Sequence, residues 1–249
     1  MRTANVARPA AGQRSEAQGR SGDLFSAHHD HFGIGEPDAT GDKIYNGAED
    51  NASGCAQLLA IARAFAALPE RPRRSVLMLF VAGEEQGLLG STYYSLHPTF
   101  APGKIAANIN YDGGNYLRPH ARTSRTSARA SPRSTRSSNA LAASSRARAS
   151  CPTSSRTSGY FYRSDQFNFA KIGVPALYFD RGTDYIGKPA GLGPARSTRS
   201  GTEHIYHQPS DEIDDSWVFD GMIEDASIGF YAGLAHRAGR CDADVESGR

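Results

Sequence analysis

The sequence has few cysteines, no long apolar run and no large excess of charge of either sign. Its three cysteines, Cys55, Cys151 and Cys241, are widely spaced, which excludes a zinc knuckle and a disulfide framework, so any metal must be held by histidines and carboxylates. No apolar stretch approaches the roughly 18 residues of a membrane span, and the N-terminus lacks the apolar region of a secretory signal. A net charge of +2 argues against a strongly basic nucleic-acid binder.

The near-neutral charge conceals an uneven distribution. Residues 118–158 contain nine arginines and twelve serines but no acidic residue, and Leu141 is their one large aliphatic residue. Subtracting these nine arginines from the 28 basic residues leaves 19 against 26 acidic ones, so the rest of the chain is acidic. The mean hydropathy of −0.51 also indicates that part of the chain forms no core.

Three interpretations of residues 118–158 remain open: a disordered linker, an RNA-binding segment, or coding sequence read in the wrong frame. The segment lacks the dipeptide period of true Arg/Ser repeats, and patterned sequence stops and resumes abruptly at its edges. Residues 1–22 share its composition, and we expect a disordered or non-native segment there that adds no strand. Residues 238–249 are expected to form a tail.

The remaining sequence, residues 23–117 and 159–237, alternates between predicted strands and helices. The predicted strands are Asp23–His28, Arg74–Val81, Ile105–Tyr111 and Pro175–Phe179, and the predicted helices are Asn51–Leu68, Gly87–Leu96, Asp165–Ile172 and Ser216–His236. This alternation predicts an α/β domain in two parts, with a mostly parallel central sheet flanked by helices and interrupted by the Arg/Ser-rich insert.

Candidate metal ligands follow the predicted strands, where ligand sites form in such sheets. The first strand leads into the run His28-His29-Asp30-His31, and the second into Glu84-Glu85. The other candidates are Asp50-Asn51 before the first helix, Asp112 after the third strand, and His207. Histidines and carboxylates that converge on one sheet edge are typical of a site for two zinc ions, in which one carboxylate can bridge both. Alone, Asp50-Asn51 would suggest a helix cap and Glu84-Glu85 a helix start.

Six strings of the sequence, in order, resemble metallopeptidase family 28, the co-catalytic zinc aminopeptidases related to aminopeptidase Y and glutamate carboxypeptidase II. They are SAHHDHFGIGEP, IYNGAEDNASG, FVAGEEQGLLGS, NINYDGG, FYRSDQFNFAKIGVPALYFDRG and YHQPSDEID. The resemblance covers residues 23–117, 159–192 and about 203–235, and it implies the zinc-aminopeptidase fold.

The resemblance also implies a role for each ligand candidate. Glu84 would be the general base, and Asp30 would orient a ligating histidine. Two zinc ions would be held by His28, Asp50, Glu85, Asp112 and His207, with Asp50 bridging them.

The implied function is a zinc-dependent exopeptidase, most simply an aminopeptidase acting on a peptide or a small dipeptide-like substrate. A carboxypeptidase or glutaminyl cyclase on the same scaffold, and a catalytically impaired remnant, are the alternatives. No nucleic-acid or membrane partner is expected, and the oligomeric state and compartment stay open. Tyr160, Tyr162 and Arg163 are candidates for the substrate pocket, with ordinary packing as the alternative.

Two departures from the family pattern affect these expectations. His29 stands where relatives often carry an aromatic residue, and residues 118–158 replace an expected strand–helix–strand portion. Loss of that portion would remove part of the sheet edge and of the pocket wall.

Overall fold

The computed structural model describes residues 3–10, 22–72, 74–116, 125–126, 160–180 and 205–235. The strands in these ranges are β1 (Val6–Ala10), β2 (Gly22–His28), β3 (Gly33–Ile34), β4 (Ile44–Tyr45), β5 (Ser75–Val81), β6 (Ile105–Asn110), β7 (Arg125–Thr126) and β8 (Ala176–Asp180). The α-helices are α1 (Ser53–Ala66), α2 (Leu89–Leu96), α3 (Gln166–Lys171) and α4 (Asp220–Ala235), and short 3₁₀ turns lie at Pro102–Lys104 and Tyr160–Tyr162.

Six strands form the main sheet in the order β1-β5-β2-β6-β8-β7. The four inner strands are parallel, and β1 and β7 pair antiparallel at the two edges. The pairing of β6 with β8 joins the two parts of the predicted domain in one sheet. The predicted α/β class with a mostly parallel sheet is therefore confirmed.

Alternate residues of the central strands enter two different hydrophobic clusters. In β2, Phe25 packs in a cluster with α1 and α4, whereas Leu24 packs in a second cluster with α2 and α3. In β5, Val76 and Met78 belong to the first cluster and Leu77 and Leu79 to the second. Because both faces of the sheet are covered, these strands are nearly continuous apolar runs rather than alternating ones.

Polar side chains are buried where the sheet approaches the candidate site. Ser26 Oγ lies 2.6 Å from Asn110 Oδ1 and accepts a hydrogen bond from Asn108 Nδ2 at 2.8 Å, which links β2 to β6. Asn110 Nδ2 also lies 2.9 Å from Gln166 Oε1, at the start of α3. These bonds satisfy groups that would otherwise be costly to bury, and they fix the strand ends relative to α3.

The N-terminal segment differs from its expectation, because Val6–Ala10 forms an edge strand. It pairs with β5. The side chain of Asn5 donates a hydrogen bond from Nδ2 to Gly90 O and accepts one at Oδ1 from Ala82 N. The prediction that residues 1–22 add no strand is therefore wrong for these five residues. Val6 is their one large apolar residue, so the strand has no hydrophobic alternation and is held by backbone pairing; Pro9 is tolerated because the strand is an edge.

Most of the Arg/Ser-rich insert lies outside the described residues. Within it, Arg125 and Thr126 pair antiparallel with Asp180 and Phe179 of β8. The three interpretations of the insert stay predictions, as does the tail at residues 238–249, which lies outside the described ranges. Among the helices described, none has the length and apolarity to cross a membrane.

The first core cluster gives a direct test of this packing. Leu58 of α1 is fully buried in that cluster, whereas its neighbour Leu59 is 56% exposed. We expect Leu58→Ala to lower the free energy of unfolding by about 2–5 kcal/mol, because it leaves a cavity. Leu59→Ala should change it by less than about 0.5 kcal/mol. Urea denaturation of both variants checks this, and equal losses would contradict the assigned helix face.

Candidate metal centre

The candidate ligands meet at the carboxyl ends of three adjacent parallel strands. His28 is the last residue of β2, Glu84 and Glu85 follow the end of β5, and Asp112 follows the end of β6. Asp50 lies in the irregular turn Ala48–Ala52, which precedes α1. The loop that carries His207 completes the cluster. The structure thus brings together the five residues to which the family resemblance assigns zinc ligation, namely His28, Asp50, Glu85, Asp112 and His207.

One group of ligand atoms surrounds His28. Its Nε2 lies 3.0 Å from Asp50 Oδ1 and 3.4 Å from Asp112 Oδ1. His28 Nδ1 donates a hydrogen bond to the backbone oxygen of Asp30 at 3.1 Å. That bond fixes the ring and leaves Nε2 directed at the carboxylates, which is the usual arrangement of a metal-ligating histidine.

A second group surrounds His207. Its Nε2 lies 3.3 Å from Asp50 Oδ2 and 3.1 Å from Glu85 Oε2. The two carboxylate oxygens of Asp50 are therefore divided, with Oδ1 in the His28 group and Oδ2 in the His207 group. A carboxylate shared in this way can bridge two cations.

The donor atoms and their spacing fit zinc. Two atoms bound to one tetrahedral zinc at about 2.0–2.2 Å lie about 3.3–3.5 Å apart. The histidine–carboxylate distances of 3.0–3.4 Å in the two groups are within a few tenths of an ångström of that separation. Mixed imidazole and carboxylate ligands suit zinc.

The carboxylates of the cluster favour positive charge nearby, as the raised pKa values of its two histidines show. Burial alone would lower the pKa of His28, but its hydrogen bonds to Asp112 and Asp50 outweigh burial and raise the pKa well above its usual range. Burial likewise acts to lower the pKa of His207, yet its bonds to Asp50 and Glu85 raise it to about 9. Without a cation, protonated imidazoles supply the charge that the buried carboxylates require.

Glu84 has a different environment from its neighbour Glu85. Burial and the charge of Asp112 raise the pKa of Glu84 to about 9. Burial would also raise the pKa of Glu85, but hydrogen bonds from His207 and His31 outweigh it and lower the pKa. Among the described residues, Glu84 is in neither group of potential ligands whose atoms lie within 4.8 Å of one another, which are His28–Asp50–Asp112 and His31–Asp50–Glu85. The role of Glu84 as general base stays a prediction.

Asp30 holds the turn that carries both glutamates. Its Oδ1 accepts a hydrogen bond from Glu84 N at 3.2 Å, and its Oδ2 accepts one from Glu85 N at 3.3 Å. The carboxylate is 3.8 Å from His28 Nδ1, so the orienting contact to His28 comes from the Asp30 backbone oxygen. The role of Asp30 in orienting His28 stays a prediction.

Two polar side chains near Asp50 have positioning contacts that the sequence patterns did not reveal. Asp211 accepts hydrogen bonds from Glu49 N at 2.8 Å and Asp50 N at 3.0 Å, four residues after His207. Asn51, predicted as part of the candidate Asp50-Asn51 pair with a helix cap as the alternative, accepts hydrogen bonds from the backbone N–H groups of both Gly54 and Gly113. For Asp211 the sequence did contain a signal, because the residue lies within YHQPSDEID, one of the six strings that resemble the family.

The four isolated histidines and the three pocket candidates have no role assigned at the cluster. His97 packs against Tyr93 at the end of α2, whereas His120, His204 and His236 lie outside the described residues. Tyr162 packs edge-on against Phe161 and Phe167, so the packing alternative has direct support. The pocket roles of Tyr160, Tyr162 and Arg163 stay predictions.

Comparison with known protein families and curated proteins gives one family. The model of Peptidase family M28 matches residues 11–228. A vacuolar membrane protease of Verticillium alfalfae is 35% identical over 83 residues, which are 33% of this chain and 7% of that protein. The chain thus corresponds to a small part of that relative.

Solved structures share the fold at low sequence identity. BSAP, a zinc aminopeptidase from Bacillus subtilis, has a TM-score of 0.66 and 18% identity, over 98% of this chain and 51% of its own. A glutaminyl cyclase from an Acidobacteriales bacterium has a TM-score of 0.63 and 18% identity, over 94% of this chain and 73% of its own. The chain spans about half of the aminopeptidase.

The contacts of Asp211 predict a specific loss of stability. In Asp211→Asn, an amide N–H₂ group would face one of the two backbone N–H groups, which leaves that N–H unsatisfied. We expect the free energy of unfolding of the metal-free protein to fall by about 1–3 kcal/mol. The control is Asp215→Asn at a nearby exposed carboxylate, which should change it by less than about 0.5 kcal/mol. Equal urea midpoints for the two variants would contradict the assigned contacts.

Proposed function

The chain belongs to peptidase family M28, as the resemblance of its motifs predicted, and we propose that it is a zinc-dependent aminopeptidase. Its proposed substrates are peptides or small dipeptide-like molecules, from which it releases the N-terminal residue. We propose no nucleic-acid or membrane partner for the described domain.

The division of Asp50 between two histidine–carboxylate groups carries this proposal. His28 and Asp112 would complete one zinc site, and His207 and Glu85 the other, with Asp50 shared by both. Two zinc ions held in this way would supply Lewis acidity to the scissile carbonyl and to the attacking water.

Glu84 is the proposed general base. It would take a proton from the attacking water and then deliver it to the leaving amine, so it must be ionised before the reaction and free of metal ligation. The second condition is supported because, among the described residues, Glu84 belongs to neither cluster of three potential ligands with atoms within 4.8 Å of one another. The first requires positive charge near Glu84, because burial and the charge of Asp112 raise its pKa to about 9.

Several of the similar solved structures, BSAP among them, are aminopeptidases, which supports the aminopeptidase assignment. Glutaminyl cyclase activity is the second candidate function. The similar glutaminyl cyclase has the same fold, and this chain covers 73% of it, compared with 51% of BSAP. A carboxypeptidase and a catalytically impaired remnant are further outcomes that substrate assays can separate.

Glu84→Gln tests the proposed mechanism. The variant keeps the shape of the side chain but cannot accept a proton, so we expect kcat/KM for aminoacyl-anilides to fall by about 100- to 10,000-fold. Zinc stoichiometry, measured on the same samples, should stay at two ions per chain. Glu36→Gln, at an exposed glutamate, is the control and should retain full activity.

The substrate panel distinguishes the alternatives. An aminopeptidase should lose activity when the substrate amine is acetylated, whereas a carboxypeptidase should cleave N-blocked dipeptides. A glutaminyl cyclase should convert glutaminyl substrates to pyroglutamyl products. Two bound zinc ions without turnover of any substrate would favour the impaired remnant, and full activity of Glu84→Gln would exclude Glu84 as the base.

A further inference from the structure

The side chain of His31 is largely buried beside the proposed second zinc site, and none of the assigned roles includes this residue. Its side chain is 7% exposed, although it lies in the loop that follows β2. The ring packs against the backbone of Gly47, where an added Cβ would come within 2.7 Å of His31 Cγ. Gly47 has a φ of +67°, so a residue with a side chain is disfavoured there on both grounds. The backbone at Gly47 therefore packs closely against the His31 ring.

The polar contact of His31 is to a proposed metal ligand. Its Nδ1 lies 2.6 Å from Glu85 Oε1, while Glu85 Oε2 lies 3.1 Å from His207 Nε2. An ionised carboxylate accepts hydrogen bonds and donates none, so the proton of this short bond resides on His31 Nδ1. The two oxygens of Glu85 thus have separate partners.

The distance argues for a hydrogen bond rather than shared ligation. Two ligand atoms on one tetrahedral zinc lie about 3.3–3.5 Å apart. The 2.6 Å between His31 Nδ1 and Glu85 Oε1 is too short for that, whereas the 3.1 Å between His207 and Glu85 is close to it. His31 does form a loose group with Asp50 and Glu85, with ligand atoms within 4.8 Å, so direct ligation is the competing arrangement to test.

We propose that His31 is a positioning residue for the second zinc ion. Its Nδ1–H group donates a hydrogen bond to Glu85 Oε1, which leaves Oε2 to bind the metal. This inference rests on the two-zinc site of the proposed function. The hydrogen bond restricts the carboxylate to one orientation and to one ligating oxygen. Outer partners of metal ligands commonly change metal affinity by about 10- to 100-fold when they are removed.

Three substitutions at two histidines test the proposal. His31→Ala removes the donor, and His31→Asn places an amide N–H₂ group near the former position of Nδ1. His29→Ala is the matched control, because His29 is exposed and its ring contacts the backbone oxygen of Ala4, away from the cluster. Zinc affinities of both sites are measured by competition with a chromophoric chelator, and cobalt-substituted samples give visible absorption spectra of the ligand field.

We expect His31→Ala to weaken the second zinc by about 10- to 100-fold and the first by less than threefold. His31→Asn should restore second-site affinity to within about threefold of the wild type, and His29→Ala should leave both affinities unchanged. The cobalt spectrum of the second site should change in His31→Ala and return towards the wild type in His31→Asn.

Each other outcome overturns the proposal. Unchanged zinc affinity in His31→Ala would exclude a positioning role, and equal loss in His31→Ala and His31→Asn would indicate direct ligation by His31. A lower urea midpoint of the metal-free protein without any change in zinc affinity would indicate packing alone. A wild-type chain that binds fewer than two zinc ions would overturn the proposed function as well, whereas two ions without a variant effect would overturn this inference alone.

Discussion

The concentration of carboxylates around Asp50 is the constraint on which the rest of the site depends. Asp50, Glu85 and Asp112 approach the ring nitrogens of His28 and His207 to within 3.0–3.4 Å, inside a largely buried edge of the sheet. Such a cluster is stable only with positive charge among the carboxylates, from imidazolium groups or from cations. The histidine pKa values are raised for this reason, and the donor spacing matches that of a tetrahedral zinc ion.

The surrounding structure restricts how this cluster can relax. Asp211 binds two consecutive backbone N–H groups at Glu49 and Asp50, and Asp30 does the same at Glu84 and Glu85. Both are buried or half-buried carboxylates whose oxygens accept backbone hydrogen bonds. Each therefore ties a loop that carries a candidate ligand to a second loop, which restricts how the candidate ligands can move relative to one another.

Much of the fold could be predicted because its signals are local. The apolar run Arg74–Val81 predicts a strand covered on both faces, and the spacing of Leu58, Leu59, Ala62, Phe65 and Ala66 predicts a helix. Both elements are present, although Leu59 is 56% exposed rather than on the buried face of the helix. The edge strand Val6–Ala10 could not be predicted in the same way. Its stability comes from pairing with β5 and from the hydrogen bonds of Asn5, which leave no hydrophobic pattern along the segment.

The sequence by itself determined the α/β class, the family motifs and the identity of the candidate ligands, since residue types and their order along the chain carry that information. The tertiary structure decided which of these groups meet. It divided Asp50 between two histidines, made Asp211 a backbone acceptor, and placed His31 rather than its neighbour His29 against Glu85. These roles depend on distances between loops far apart in the chain, and hydrogen bonds of that kind leave no periodic pattern in the sequence.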